Sequence, residues 1–478
     1  MWNKYRIVAT IDQALDILNR EKASARIIAG GTDLILELKQ GLRKPINTLV
    51  DVSRIYGFHD IWQDEKNYIH VKAGATHNDC VASKLIREKA LPLAQACYGI
   101  GSPQIRNIAT VVGNLATASP ANDTICALIA MDAKLMIRSK SGKREIELAK
   151  FYTGVRTTVL HPDEIIEEVI FKGLSENTIG VFNKYLLRKT HAISLVNTSI
   201  ILTLENNRIT NATITLGAVA PTIINAFAAE EYLNGKGLSE NVIKECSTIA
   251  QQAARPISDI RSSENYRNRL VRILVTSGLS TIWHEEYLND PVLKPVLLRG
   301  KNFNPKYKLK DELIQDKHST IEVHINNEKY QIKNGIGLTI LDLVREKAGL
   351  TGTKLGCGEG ECGACTLFLD DLPVLSCLIP AARAHHARIT TIEGVSEKGK
   401  LNRIQKAFIE EGAVQCGYCT PGFIMSTIKL LDEIKAPTIQ EIKSGLSGNL
   451  CRCTGYYRII AAVEKAAINS TQQEDIHE

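Results

Sequence analysis

Apolar residues recur at helical spacing through Ala14, Leu15, Ile17 and Leu18, directly after Thr10-Ile11-Asp12-Gln13, which has the form of a capping box. The chain therefore opens into an amphipathic helix. Arg26-Ile27-Ile28-Ala29 predicts a short strand that turns at Gly30-Gly31-Thr32-Asp33 into a second helix over 34–39. Strand, glycine turn and helix in that order can cradle a phosphate, although the turn alone reads first as an ordinary connection. Further on, Ile321-Glu322-Val323-His324-Ile325 and Glu328-Lys329-Tyr330-Gln331-Ile332 alternate around Asn326-Asn327 and predict a hairpin. Ile340 to Lys347 reads as a helix. Thr366-Leu367-Phe368-Leu369 and Val374-Leu375 around Asp370-Asp371 make another hairpin, giving a small sheet that grips one helix. Four helical stretches follow: Leu401 to Glu411, Gly422 to Asp432, the capped run from Thr438-Ile439-Gln440-Glu441, and Tyr456 to Ala467. They predict a four-helix bundle. Between Asp290 and Lys317 the pattern lapses. Pro291, Pro295 and Pro305 stand among Lys294, Arg299, Lys301, Lys306, Lys308 and Lys310, as expected of a linker with solvated basic residues.

At 478 residues the chain exceeds a single core and fits about three domains. A net charge of +6 is small for this length, and no basic run interleaved with aromatics points to nucleic acid. No apolar stretch approaches the ~18 residues that would span a bilayer. The polar start Met1-Trp2-Asn3-Lys4-Tyr5-Arg6 has no secretory character, so a soluble, cytoplasmic protein with reduced thiols is expected.

The cysteines change the picture. Eight of the twelve fall between 357 and 453, in two groups of four. Cys357-x4-Cys362-x2-Cys365 with a distant Cys377 has the spacing of a plant-type [2Fe-2S] centre. The loop Gly356-Cys357-Gly358-Glu359-Gly360-Glu361-Cys362-Gly363-Ala364-Cys365 is nearly half glycine. Glycine allows positive φ and close approach, so backbone N–H groups can point at sulfur. Cys416-x2-Cys419 with Cys451-x-Cys453 offers four more thiolates, and spacing alone leaves iron–sulfur and zinc open there. Cys80, Cys97, Cys126 and Cys246 stand singly and read as buried small apolar residues rather than disulfide partners.

The cysteine motifs, with Gln415-Cys416-Gly417-Tyr418-Cys419-Thr420-Pro421-Gly422 and Cys451-Arg452-Cys453-Thr454-Gly455-Tyr456, resemble the signatures of the xanthine dehydrogenase (molybdenum hydroxylase) family. Upstream, Ala29-Gly30-Gly31-Thr32-Asp33, Gln104-Ile105-Arg106-Asn107 with Gly113-Asn114, and Ala118-Ser119-Pro120-Ala121-Asn122-Asp123 resemble its FAD module. So do Arg188-Lys189-Thr190-His191-Ala192-Ile193-Ser194 and Leu216-Gly217-Ala218-Val219-Ala220-Pro221. The resemblance covers nearly the whole chain apart from the linker and about the last ten residues.

It implies a multidomain α+β protein. Residues 1–175 would form a two-lobed FAD-binding domain of the vanillyl-alcohol-oxidase type and 176–287 the α+β C-terminal lobe of that module. A linker over 288–318 would lead to a β-grasp, plant-type ferredoxin domain (319–395) and a helical-bundle [2Fe-2S] domain (396–470). Ile28, Ala29, Gly30, Gly31, Thr32, Asp33 and Leu34 would wrap the FAD pyrophosphate. Thr110, Gly113 and Asn114 would line a second flavin loop, and Asp123, Ile166 and Lys184 match further contact positions. Ile100 falls where some relatives place an aromatic ring; an aliphatic group there covers the flavin but cannot stack on it. Val112 stands where the family pattern has a second glycine, so positive φ at that position would strain a β-branched residue. Animal relatives place the iron–sulfur domains first; here the flavin domain leads.

The implied cofactors are FAD and two [2Fe-2S] clusters, with Cys357, Cys362, Cys365 and Cys377 on one and Cys416, Cys419, Cys451 and Cys453 on the other. No part of the chain resembles the large molybdopterin-binding portion. The resemblance therefore implies a separate molybdenum-cofactor subunit, a heteromeric assembly that can pair further, and no catalytic residue in this chain. It also implies an electron-transfer role: electrons from the partner pass through the bundle cluster, then the ferredoxin-type cluster, then FAD, to NAD+. The assembly would be xanthine/purine dehydrogenase-like. The equivalent subunit of a carbon monoxide, aldehyde or nicotinate dehydrogenase with another acceptor is the alternative.

Overall fold

The computed structural model describes residues 2–300, 309–396 and 399–474. The first helix forms over Ile11–Glu21, with the Thr10 hydroxyl accepting the Gln13 amide and the Gln13 side chain returning to the Thr10 backbone. Trp2–Ile7, Ile46–Asp51 and Ala25–Ile28 pair in parallel in that order. The turn after Ala25–Ile28 leads into the predicted helix Leu34–Lys39. A second, antiparallel sheet has the order Ile61–Gln63, Tyr68–Lys72, Ile165–Lys172, Lys134–Ser139, Gly142–Glu147. Between its strands in sequence lie the short helices of residues 77–130. Two of them, Leu91–Tyr98 and Asp123–Ala130, are buried on nearly every side. A third sheet, Thr178–Tyr185, Val196–Glu205, Arg208–Gly217 and Ile224–Asn225, is backed by Glu264–Trp283, on which Glu240–Ala253 packs.

Both hairpins after residue 318 appear in a five-stranded sheet. Asn326 and Asn327 at φ 51° and 71°, and Asp370 and Asp371 at 48° and 69°, make the two-residue left-handed turns that Asn and Asp tolerate. The helix expected over 340–347 is one turn, Ile340–Asp342, widening into a π-helical turn, Leu343–Lys347. The Ala348 N–H closes this turn on the Leu343 carbonyl just before Gly349 at φ 73°. Arg403–Glu410, Thr420–Glu433, Ile439–Gly445 and Tyr457–Glu474 follow, sharing a core that includes Phe408, Phe423, Leu430, Ile459 and Val463.

The linker expectation needs correction. Leu313–Asp316 is a strand, antiparallel to Trp2–Ile7 at the edge of the first sheet. Val292 belongs to the core of the N-terminal module, while Val296 and Leu298 belong to that of the bundle. Arg299, expected in solvent, is 8% exposed. The Glu433 carboxylate accepts the amides of Leu297 and Arg299 at 2.8 and 2.9 Å, so this stretch is a strap pinned to the bundle. Its few apolar anchors are too sparse to register as a period. Lys301, Pro305, Lys306 and Lys308 lie outside the described residues.

Val112 sits in the helix Val111–Thr117 with φ below zero, so the expected strain does not arise. Cys80, Cys97, Cys126 and Cys246 are fully buried. Among the described residues no helix is long and apolar enough to cross a membrane.

Candidate functional site

Close backbone approach explains the first glycine of the turn at 29–33: a Cβ on Gly30 would lie 2.3 Å from the Ile108 carbonyl oxygen. Gly31 takes φ 79°, which turns the strand into the helix. Next to the turn, the Thr110 hydroxyl accepts the Gly113 amide at 3.0 Å and caps the helix Val111–Thr117. The Asn122 side-chain amide donates to the Asn114 carbonyl at 2.7 Å, tying this helix to the segment before Asp123. Asp123 Oδ2 then meets Lys184 Nζ at 2.5 Å, and its Oδ1 accepts Ser194 Oγ and Asn197 Nδ2 at 2.6 and 2.8 Å. Lys184 also donates to the Gly99 carbonyl at 2.7 Å, next to Ile100.

The turn, Thr110 to Asn114, Asp123, Lys184 and Ile100 thus form one connected wall shared by the two lobes of the N-terminal module. Ile166 is a core residue at a bulge in Ile165–Lys172 and makes no side-chain bond to that wall. A Cβ on Gly31 would meet the side chains of Ile28 and Ile35, so both glycines keep the turn packed closely on the segment that leads to Thr110.

The eight clustered cysteines come together in twos. Cys357 Sγ accepts the amides of Glu359, Glu361 and Cys362 at 3.3–3.4 Å, and Cys362 Sγ accepts the Cys357 amide at 3.3 Å. Gly358, Gly360 and Gly363 at φ 71–80° aim those amides inward, as the glycine content predicts. Cys365 and Cys377 are hydrogen-bonded to each other and buried, with Leu341, Leu375, Leu378 and Ile105 around them. In the bundle, Cys416 and Cys453 meet at 3.5 Å, and Cys419 is bonded to Cys451, whose sulfur also takes the Thr454 hydroxyl at 3.2 Å.

Within the first loop, sharing the Cys362 proton and accepting three amides bring the Cys357 thiol down to about 4, against burial, while Cys362 moves up. Cys377 lowers Cys365 and is itself raised; burial and then Cys451 push Cys419 up to about 12. Among the described residues no three His, Cys, Asp or Glu side chains converge as around a single ion. Each group offers four thiols in two couples, the donor set that a [2Fe-2S] unit takes at two per iron.

The two cysteine sets share a seam in which Gln104, Ser426 and Asn449 are buried. The Leu450 amide, one residue before Cys451, donates to the Cys362 carbonyl at 2.9 Å, and Asn449 Nδ2 donates to the Gly363 carbonyl at 3.1 Å. Gln104 Nε2 reaches Ser426 Oγ and Asn449 Oδ1 at 3.0 and 3.1 Å. On the opposite side Lys39, at the end of the helix that begins at the glycine turn, donates to the Cys377 carbonyl at 2.9 Å.

Several of these contacts escape sequence reasoning. Arg383 carried a faint signal as a lone cation within Ile379-Pro380-Ala381-Ala382-Arg383-Ala384, and it is 6% exposed and ion-paired to Asp51. Gln104 is marked only as part of the flavin-module motif, and Lys39 and Arg299 gave no such signal, because their partners lie far away in sequence.

Comparison with known proteins matches four domain families: the FAD binding domain in molybdopterin dehydrogenase (residues 3–171), the CO dehydrogenase flavoprotein C-terminal domain (182–282), the 2Fe-2S iron-sulfur cluster binding domain (323–382) and the [2Fe-2S] binding domain (391–464). The nicotinate dehydrogenase small FeS subunit of Eubacterium barkeri is 50% identical over 147 residues, 31% of this chain and 94% of that one. The xanthine dehydrogenase iron-sulfur-binding subunit of Escherichia coli O157:H7 is 48% identical over 146 residues, 30% of this chain and 91% of that one. A chain of quinoline 2-oxidoreductase from Pseudomonas putida 86 superposes with a TM-score of 0.56 at 25% identity, covering 59% of this chain and 97% of that one. A chain of carbon monoxide dehydrogenase from Hydrogenophaga pseudoflava, at 24% identity and a TM-score of 0.57, covers 59% and 98% and shares the fold.

Proposed function

Because the chain belongs to the xanthine dehydrogenase (molybdenum hydroxylase) family and carries its FAD-binding and both [2Fe-2S] domains, we propose that it links a separate molybdopterin subunit to NAD+ in a xanthine/purine dehydrogenase-like assembly. Its general role is that of an electron-transferring oxidoreductase subunit. The observation that carries the proposal is the continuity of the path. The hydrogen bonds Leu450 N–H to Cys362 O and Asn449 Nδ2 to Gly363 O join the two cysteine sets, and Lys39 joins the set that contains Cys377 to the helix of the glycine turn.

In this reading Cys416, Cys419, Cys451 and Cys453, none of them buried, hold the cluster nearer the partner; Cys357, Cys362, Cys365 and Cys377, of which Cys357 is exposed but Cys365 and Cys377 are buried, hold the inner one. Residues Ile28–Leu34, Ile100, Thr110, Gly113, Asn114, Asp123 and Lys184 line the FAD site, and Ile166, whose side chain is in the core, would contribute through its backbone. The clusters carry single electrons, and FAD converts them into the pair that NAD+ requires. The protein's own contribution is to hold the thiolates in couples, aim amides at them and bury the seam between the two sets.

The same reading makes residues 1–175 the vanillyl-alcohol-oxidase-type domain, 176–287 its C-terminal lobe, 319–395 a β-grasp ferredoxin and 396–470 the cluster-bearing bundle. It also places the chain in a reducing, cytoplasmic setting, where the eight cluster cysteines stay thiols available to iron.

Elemental analysis of the anaerobically purified chain will give about four iron atoms per polypeptide with matching sulfide, and no stoichiometric zinc. Mixing it with NADH without oxygen will bleach the flavin absorbance; an unbleached flavin would replace NAD+ with another acceptor. The near-equal identities to the nicotinate and xanthine subunits support the second reading, a nicotinate dehydrogenase-like or related assembly. The substrate oxidised by the co-purifying molybdenum protein separates the two.

A further inference from the structure

Two arginines reach from the C-terminal half into the backs of the two flavin loops. Arg383, on the turn Ala381–Ala384 of the small sheet domain, passes into the N-terminal sheet. There its Nε meets Asp51 Oδ2 at 2.9 Å and the Tyr5 hydroxyl at 3.3 Å, and its Nη2 donates to the carbonyl of Ala29. Ala29 is the residue just before Gly30. Asp51 and Tyr5 are fully buried and bonded to each other at 2.6 Å, so the guanidinium has a fixed seat. Arg54 of the N-terminal module returns the contact, donating to the carbonyls of Arg383 and His385 at 2.9 and 3.2 Å.

Arg299 of the strap does the same for the second loop. Its guanidinium meets Asp79 Oδ1 at 2.8 Å, Thr76 Oγ1 at 2.9 Å and Asn107 Oδ1 at 3.2 Å. Thr76 is bridged to Thr110, and the amides of His77 and Val111 bond the carbonyls of Ala109 and Ala75 at 3.0 and 3.1 Å. A charge fixed at Thr76 therefore fixes the entry to the helix Val111–Thr117. Side-chain packing also joins the halves, with Ala382 in one core with Tyr5, Ile28 and Leu49. Beside Ala29, Thr76, Thr110, Leu369 and Val374, however, a cavity of about 90 Å3 remains, and both arginines line it. Across such a gap, directional bonds set the loop positions.

We propose that Arg383 and Arg299 are positioning residues for the flavin, fastening its two loops to the iron–sulfur half so that docking of that half and FAD binding strengthen each other. The proposal rests on the reading of 28–34 and 110–114 as flavin loops. By reciprocity, whatever the docked half adds to FAD affinity, bound FAD adds to docking.

The test uses the full chain with both clusters in place, reading FAD release by its fluorescence after dilution. Arg383→Gln and Arg299→Gln will each raise the FAD dissociation constant about tenfold, as for loss of a charge-assisted hydrogen bond, while both cluster EPR signals persist. Arg383→Lys keeps the charge but not the fork and will fall between. Gly31→Val serves as the reference for the loop itself. If it releases FAD while both glutamine variants retain it at wild-type affinity, the positioning role is overturned; if it retains FAD, the loop assignment fails instead. Should Arg383→Gln not fold, Arg299→Gln decides, since its partners are separate.

Discussion

Replacing Cys362 by serine will erase one of two distinguishable iron–sulfur EPR signals and lower iron from about four to about two per chain, with FAD still bound. Cys362 occupies the hinge of the inner site. Its sulfur pairs with Cys357, and its carbonyl takes the amide that leads to Cys451. A serine hydroxyl stays protonated where a thiol ionises, so one metal would keep a single thiolate, from Cys357. Losing even an outer partner of a ligand lowers metal affinity by about 10–100-fold; losing the ligand itself leaves the inner site empty. The remaining couple, Cys365 and Cys377, is buried with Leu341, Leu375 and Leu378, which preserves the local packing. The bundle couples contribute no side chain to the inner site and keep their signal. The glycine turn at 29–33 uses none of these sulfurs, so flavin remains. Two undiminished signals in the variant would show that Cys362 is not a ligand.

The parts of the molecule legible in the sequence are those whose partners are close in the chain. Thr10 with Gln13, Asn326-Asn327, Asp370-Asp371 and the glycines between Cys357 and Cys365 each specify their local geometry within a few residues, and the structure follows them. Motif spacing brought out the cysteines because a cluster loop must return its thiolates to one point. The strap was misread because its anchoring is long-range. Val292, Val296, Leu298 and Arg299 have partners in modules that precede and follow them by more than a hundred residues, and prolines between sparse apolar residues look like a tether. The arginine contacts were hidden for the same reason: Arg383 and Asp51 are 332 residues apart. The concern over Val112 dissolved because a helix, with φ below zero, begins where a glycine loop was expected.

Asp123→Ala will lower the melting temperature by roughly 10 °C and release FAD, the second large effect expected. Its carboxylate is 6% exposed and accepts from Lys184, Ser194 and Asn197, so it joins the buried helix Asp123–Ala130 to two strands of the third sheet. Alanine would leave the Lys184 ammonium, 10% exposed, with only the Gly99 carbonyl. Breaking a buried pair on one side costs about 3–5 kcal/mol, and in modules of this size each kcal/mol shifts the midpoint by about 2–4 °C. Asp123→Asn keeps the Oδ1 acceptor for Ser194 and Asn197 and loses only the charge, so it will fall between. The double variant Asp123→Ala with Lys184→Met separates structure from cofactor contact. With both charges gone no buried ion is stranded, so the melting temperature should recover most of its loss. FAD should stay weakly held, because both contact groups are missing. Recovery of flavin along with stability would mean that the pair acts only as a brace between the lobes, whereas recovery of stability alone makes it part of the flavin site.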